Sequence, residues 1–366
     1  MKIKDISSIL ESLAPISLQE DYDNSGLIVG DPKAEISKTL ICLDVTEEVL
    51  DEAIESKCEL IIAHHPIVFR GLKKLNGKNY VERVVIKAIQ NNIAIYAIHT
   101  NLDNVLRGGV NSKIAEKLGL TNTSILRKRE SDLCKLVTFS PKTHTSSILQ
   151  VLHDAGAGAI GKYDNCSFVS EGTGSFRGGE DSNSFIGTKG EVHHENEDRI
   201  DVILPKWILP TAIAKLKDAH PYEEVPYDVY PLLNTSQETG AGLLGMLTKP
   251  MNQKDFLQHL KESMNVPVIK YTSLNSNSIQ KVAVCGGSGS FLIGDARRIG
   301  ADAYVTGDIK YHEFFDGENE LMICDIGHYE SEQFTIELLG DFLLEKIPNF
   351  ALVLTRAVTN PVNYFH

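Results

Sequence analysis

The sequence predicts an α/β fold in two similar portions, with a separate α+β domain set between them. At both ends of the chain, short apolar runs rich in β-branched residues alternate with helical patterns. The middle reads as β-α-β followed by β-α-β. Three of the apolar runs end on histidine or carboxylate residues, which core packing does not require.

The N-terminal MKIKDISSILESLAPI is an amphipathic helix pattern with charges throughout, unlike the unbroken apolar stretch of a signal peptide. TLICLDV, ELIIAHH and IAIYAIHT then read as buried strands. TEEVLDEAIESK and NYVERVVIKAIQNN, between them, carry apolar residues at helical spacing. Thr46 can cap the first helix, and Glu47 and Glu48 suit its first turn. A β-α-β-α-β order calls for a mainly parallel sheet with helices on its faces.

The middle portion contains a strand (CKLVTFSP), a helix (THTSSILQVLHDAGA) and a strand (NCSFVSEG). A long polar stretch, GTGSFRGGEDSNSFIGTKGEVHHENE, follows, in which His193 and His194 are expected in a solvated loop. RIDVILP, WILPTAIAKLKDA and EEVPYDVYPL complete a ferredoxin-like pattern. VAVCGG, ADAYVTGD, ELMICDIG and ALVLTRA then restore the strand–helix style, as a second half of one unit or as a second similar unit. The expected division is 1–131, 132–237 and 238–366.

A formal charge of −13 argues against a nucleic-acid coat or an anionic-membrane binder, but leaves room for one phosphorylated small molecule in a locally basic pocket. No run reaches the ~18 apolar residues of a membrane span. The six cysteines, with no CxxC pair, read as buried reduced thiols of a cytoplasmic protein.

The residues that can carry chemistry lie at strand ends. His64 and His65 close ELIIAHH, and Pro66 constrains the turn that follows. Neighbouring side chains on a strand diverge, so these two can serve two adjacent ions, one each, or stand as solvated imidazoles of a turn. His328 and Glu332, four apart at a helix start after DIG, project toward one point, and Glu332 can bridge two ions. Asp103, just past IAIYAIH, falls on the same sheet edge. Five such side chains suffice for two divalent ions, with Zn, Fe or Mn as candidates. His99 is therefore read as a residue that orients a ligand or moves protons, with a ligand role as the alternative. Asp23 and Asn24 either line the site or form a turn. GGSGS at 286–290 and RGGVN at 107–111 can present backbone N–H groups to phosphate or serve as plain connections. His153 and His220 read as structural.

AHHPIVF, HTNLDN, TGDIKYHE and DIGHYESE, in this order, resemble the GTP cyclohydrolase 1 type 2 homologue family, also called the NIF-three-like proteins. The resemblance covers both outer portions. It implies two α/β halves packed around two neighbouring divalent metals, with His64, His65, Asp103, His328 and a bridging Glu332 as the matching ligands. The segment ending in HPYEEVPYDVYPL looks like the inserted domain of longer bacterial members, similar to the trimeric PII and CutA domains. The family's ring-shaped hexamers imply a homohexamer. The activity expected is metal-dependent hydrolysis of a nucleotide such as GTP. His99, His312 or Glu313 would move protons, and Arg70, Lys73, Lys74 or Lys310 would hold phosphate. The alternatives are a metal-handling or regulatory protein without turnover, and a partner-binding scaffold with structural metals.

Overall fold

The computed structural model describes residues 1–130, 132–273 and 278–365. Its contacts form two compact units: Met1–Lys128 with Glu238–His366, and Arg129–Gln237.

The first unit holds two sheets. In one, β2 (Lys38–Cys42), β3 (Leu60–Ala63) and β4 (Ala94–Ala97) are parallel, with β1 (Gly26–Val29) antiparallel on the β4 edge. Leu40, Ile61 and Ile95 pack there with Val49, Leu50 and Ala53 of the helix Glu47–Glu55 and Val84, Val85 and Ala88 of the helix Tyr80–Gln90. The Thr46 hydroxyl accepts the Val49 N–H at 3.2 Å, as the sequence led us to expect. In the other sheet, β12 (Ile279–Ser288), β13 (Ala303–Gly307) and β14 (Met322–Asp325) are parallel. β10 (Gly240–Met251) and β5 (Thr121–Lys128) extend one side, and β11 (Lys270–Tyr271) the other, all antiparallel to their neighbours.

The two sheets exchange edges. β5 comes from the N-terminal portion yet pairs with β10. β15 (Ala351–Leu354) comes from the C-terminal end yet runs parallel to β2. In space, then, the halves do not part at the boundaries the sequence suggested. The helix Val110–Lys117 packs on β12 and β10, which carries the chain across before β5 begins.

The second unit is a four-stranded antiparallel sheet in the order β7 (Ser167–Arg177), β8 (Val192–Pro205), β6 (Leu133–Pro141), β9 (Tyr227–Pro231). The helices Thr145–Asp154 and Leu209–Ala219 contribute Ile148, Leu152, Ala212 and Leu216 to a core with Leu136, Ile200, Val202 and Leu204. His193 and His194 do not lie in a loop. β7 and β8 pair through Arg177 and Val192, so both histidines are strand residues, and His193 Nε2 lies 3.0 Å from Glu195. An exposed edge hairpin satisfies its backbone by pairing and its polar side chains by solvent, which made this stretch read as a loop. Among the described residues, no helix is long and apolar enough to cross a membrane.

Lys128 and Gly240 are directly opposed on β5 and β10, so the chain enters and leaves the second unit at one point of one ladder. Replacing residues 129–237 with a turn of about four residues should therefore close a hairpin. The shortened protein is expected to unfold cooperatively in circular dichroism melts and to keep its metal content. An aggregated or metal-free product would make the second unit part of the main core.

Candidate metal centre

The carboxyl ends of three parallel strands converge on one cluster. β3 runs directly into His64 and His65, whose N–H groups bond to the carbonyls of Cys42 (3.2 Å) and Leu43 (2.9 Å). The chain bends here, which brings the two rings to the same side, with centroids 4.9 Å apart. β4 leads to His99 and to the short helix Thr100–Asp103. β14 leads through Gly327, at φ 97°, into the helix His328–Glu332. The five expected ligand residues and His99 all meet here.

They fall into three groups, two of which share Glu332. His64 Nε2 stands 3.7 Å from Asp103 Oδ1 and 3.8 Å from Glu332 Oε1. His65 Nε2 and His328 Nε2 stand 3.0 and 3.2 Å from Glu332 Oε2, and 3.3 Å from each other. His99 groups with His64 and His65.

Each of the four imidazoles is clamped at Nδ1. His64 donates to the Ile98 carbonyl at 2.8 Å. His65, His99 and His328 are held by Asp44, Asp23 and Asp308, each at 2.7 Å. With the proton at Nδ1, every Nε2 lone pair is turned toward the centre. Asp44 and Asp308 were not singled out from sequence, although each follows a strand as the ligand residues do, in LICLD and VTGD. Asp23 lines the site rather than merely forming a turn; its side chain is fully buried and also accepts the Thr100 N–H at 3.1 Å.

Burial raises the Glu332 carboxyl, but His328, His64 and His65 outweigh it and hold the group ionised, well below the usual range. Burial, reinforced by the Glu332 charge, pushes Asp103 up to about 7. Burial disfavours a charged His65, yet Asp44 and Glu332 raise it to about 10; Glu332 and Asp308 likewise raise His328 to about 9.

These residues fit divalent ions. His64 Nε2 and Asp103 Oδ1 are buried without a hydrogen-bond partner, and they face each other. A buried ionised group left uncompensated costs on the order of several kcal/mol. Ligand atoms about 2.0–2.2 Å from a tetrahedral ion stand roughly 3.3–3.6 Å apart, close to the spacings in both groups. A set of imidazole and carboxylate donors without thiolate suits Zn, Fe or Mn. Cys285 is nearby, but burial and the Asp103 charge push its thiol up to about 12, so it stays protonated.

A cavity of ≈ 720 Å³ opens on the cluster. Three sequence expectations change here. Arg70, Lys73, Lys74 and Lys310 are not among its lining residues. His312 meets Tyr311 edge to face instead, and Glu313 accepts the Lys310 N–H, so the part of TGDIKYHE that reaches the cluster is Asp308. The 286–290 loop does not offer all its N–H groups to phosphate, because Gly286 N donates to Asn111 and Gly287 N to Ser331, both at 2.9 Å. Its glycines make room for Glu332: a Cβ at Gly287, which has φ +62°, would lie 2.4 Å from Glu332 Oε1.

Two outcomes follow for metal binding. Asp44→Asn and Asp308→Asn should each weaken metal affinity by about 10–100-fold, measured by chelator competition, with the fold retained. Below about 9, His65 and His328 carry protons in the metal-free protein. Metal must displace those protons, so affinity should rise with pH, and calorimetry in buffers of different ionisation enthalpy should record proton release. Affinity that stays constant from about pH 6 to about pH 8 would contradict the clamped-imidazole picture.

Known proteins resemble the chain over its whole length. It is 38% identical over 364 residues to the Halalkalibacterium halodurans protein named GTP cyclohydrolase 1 type 2 homolog, covering 98% of each chain. It is 40% identical over 326 residues to the Bacillus subtilis protein of the same name, covering 88% of this chain and 87% of that one. Its fold matches the crystal structure of a Bacillus cereus protein related to NIF3 at TM-score 0.87 and 38% identity, over 100% of this chain and 99% of that one. Residues 1–361 match Duf34/NIF3 (NGG1p interacting factor 3), and the chain belongs to that family.

Proposed function

We propose that the chain holds two divalent ions, of Zn, Fe or Mn, and hydrolyses a nucleotide such as GTP. The observation that carries this reading is the buried Glu332 carboxylate, whose two oxygens face two separate imidazole groups. His64 and Asp103 would hold one ion, His65 and His328 the other, and Glu332 would bridge them. Ions bound there supply Lewis acidity and a water that ionises near neutral pH. The chain's own residues do the rest. Asp44, Asp308 and the Ile98 carbonyl fix the imidazole orientations. His99, clamped by Asp23, keeps Nε2 ready to accept a proton. The name carried by the relatives supports a nucleotide substrate. A homohexamer in the cytoplasm belongs to the same proposal, and sedimentation equilibrium tests the assembly.

One observation favours metal handling as a second reading. The His64 side chain is fully buried, whereas that of His328 is 39% exposed, so one position faces the cavity and can exchange.

Turnover of GTP by metal-loaded protein separates the two. Chelation should abolish the activity, and Zn²⁺, Mn²⁺ or Fe²⁺ should restore it. Glu332→Gln should stay folded and lose activity by at least ~10²-fold, since it removes one of the two shared oxygens. Wild-type protein without turnover that passes an ion quickly to a chelator supports the handling reading.

A further inference from the structure

The cavity over the cluster has the wrong charge to recognise phosphate through the protein itself. Besides Asp103 and Glu332, its walls carry Glu20, Asp44, Asp308, Asp325 and Glu330. Lys270 is the one Lys or Arg among the lining residues, and it is ion-paired with Asp325 at 2.5 Å. Phosphate affinity must therefore come from bound ions, and recognition of the remainder of a substrate must come from acceptors.

Glu330 is placed for that role. It lies between His328 and Glu332 in one helical turn and is 5% exposed. Its Oε1 accepts the Asn360 amide at 2.9 Å and the Tyr364 hydroxyl at 3.0 Å. Those two bonds occupy Oε1 and fix the plane of the carboxylate. Oε2 has no hydrogen bond among the described residues. Gly327 leaves it space, since a Cβ there would lie 2.1 Å from Oε2. The segment that supplies Asn360 and Tyr364 is itself pinned: Thr355 donates to Glu52 at 2.6 Å and Thr359 to Asp44 at 2.7 Å. The flat aromatic faces of Tyr22, Phe69 and Phe291 form other parts of the wall, with the Tyr22 and Phe69 rings 6.2 Å apart.

We propose that Glu330 is the specificity-determining residue of this cavity. Through Oε2 it selects a planar nitrogen heterocycle that carries an exocyclic amino group. This rests on reading the cavity as a substrate site. An acceptor oxygen that is oriented, nearly desolvated and short of a donor rewards an N–H group and rejects a carbonyl or phosphate oxygen. The aromatic walls suit the faces of a flat ring.

The test uses zinc-loaded full-length protein and two nucleosides that differ by one amino group, guanosine and inosine, in equilibrium binding. Wild type is expected to bind guanosine about tenfold tighter, the value of one well-made hydrogen bond. In Glu330→Gln, the Asn360 and Tyr364 donors hold the amide oxygen and turn the amide NH₂ toward the cavity. The preference should then vanish or reverse, with zinc content unchanged. Tyr364→Phe, which frees one of the two anchors, should shrink the preference without removing it. Equal affinities in wild type, no binding of either nucleoside, or a preference that survives Glu330→Gln overturns the assignment. Neither nucleoside carries a phosphoanhydride bond, so a failure of GTP turnover leaves this result standing, and the reverse also holds.

Discussion

The rest of the site depends on one carboxylate. Glu332 is 3% exposed and ionised, and among the described residues it has no Lys or Arg partner; its neighbours are the imidazoles of His64, His65 and His328. In a medium of low polarity that arrangement is costly unless positive charge is present. In the metal-free protein, protons on His65 and His328 supply the charge. Divalent ions would replace those protons with fixed charge and satisfy His64 Nε2 and Asp103 Oδ1 as well. The burial that makes Glu332 expensive would also favour a small cation there over water.

Such a centre works only if its ligands cannot relax. Each imidazole is held by a second group at Nδ1, and three of the four holders are aspartates. Gly287 brings the backbone against Glu332 from the other side, where a side chain would displace it. The cavity wall obeys the same logic, since Glu330 is held by the segment after β15, and that segment is tied to Asp44, the holder of His65. Ligand geometry and cavity shape are thus linked through a few hydrogen bonds.

Much of this was legible in the sequence because strand ends and ligand types coincide. ELIIAHH and ICDIGHYESE carry both the apolar run that makes a buried strand and the residues that follow it, so placing the strand placed the site. The aspartates that hold the imidazoles were harder to read. Asp44 and Asp308 also follow strands, but a lone aspartate there is equally well a turn residue, and only the fold brings it to Nδ1. The edge exchange was invisible for another reason. TNTSILRK and ALVLTRA are plain strand patterns, and nothing local says which of two sheets a strand joins. The β7–β8 hairpin was lost because polarity was taken for irregularity. The glycine loop offers fewer N–H groups than its sequence suggests, because those of Gly286 and Gly287 are spent on Asn111 and Ser331.

The exchanged strand β15 has a consequence for biosynthesis. The edge of the first sheet is closed by a strand made after all of its neighbours, and the segment that steadies Asp44 and Glu330 comes after it. His328 and Glu332 also arrive late, long after His64, His65 and Asp103 have left the ribosome. A nascent chain therefore displays an incomplete set of donors until the helix His328–Glu332 has emerged. An ion met before that point would find neither the bridging carboxylate nor the imidazole opposite His65, so the choice of metal would fall to the folded protein.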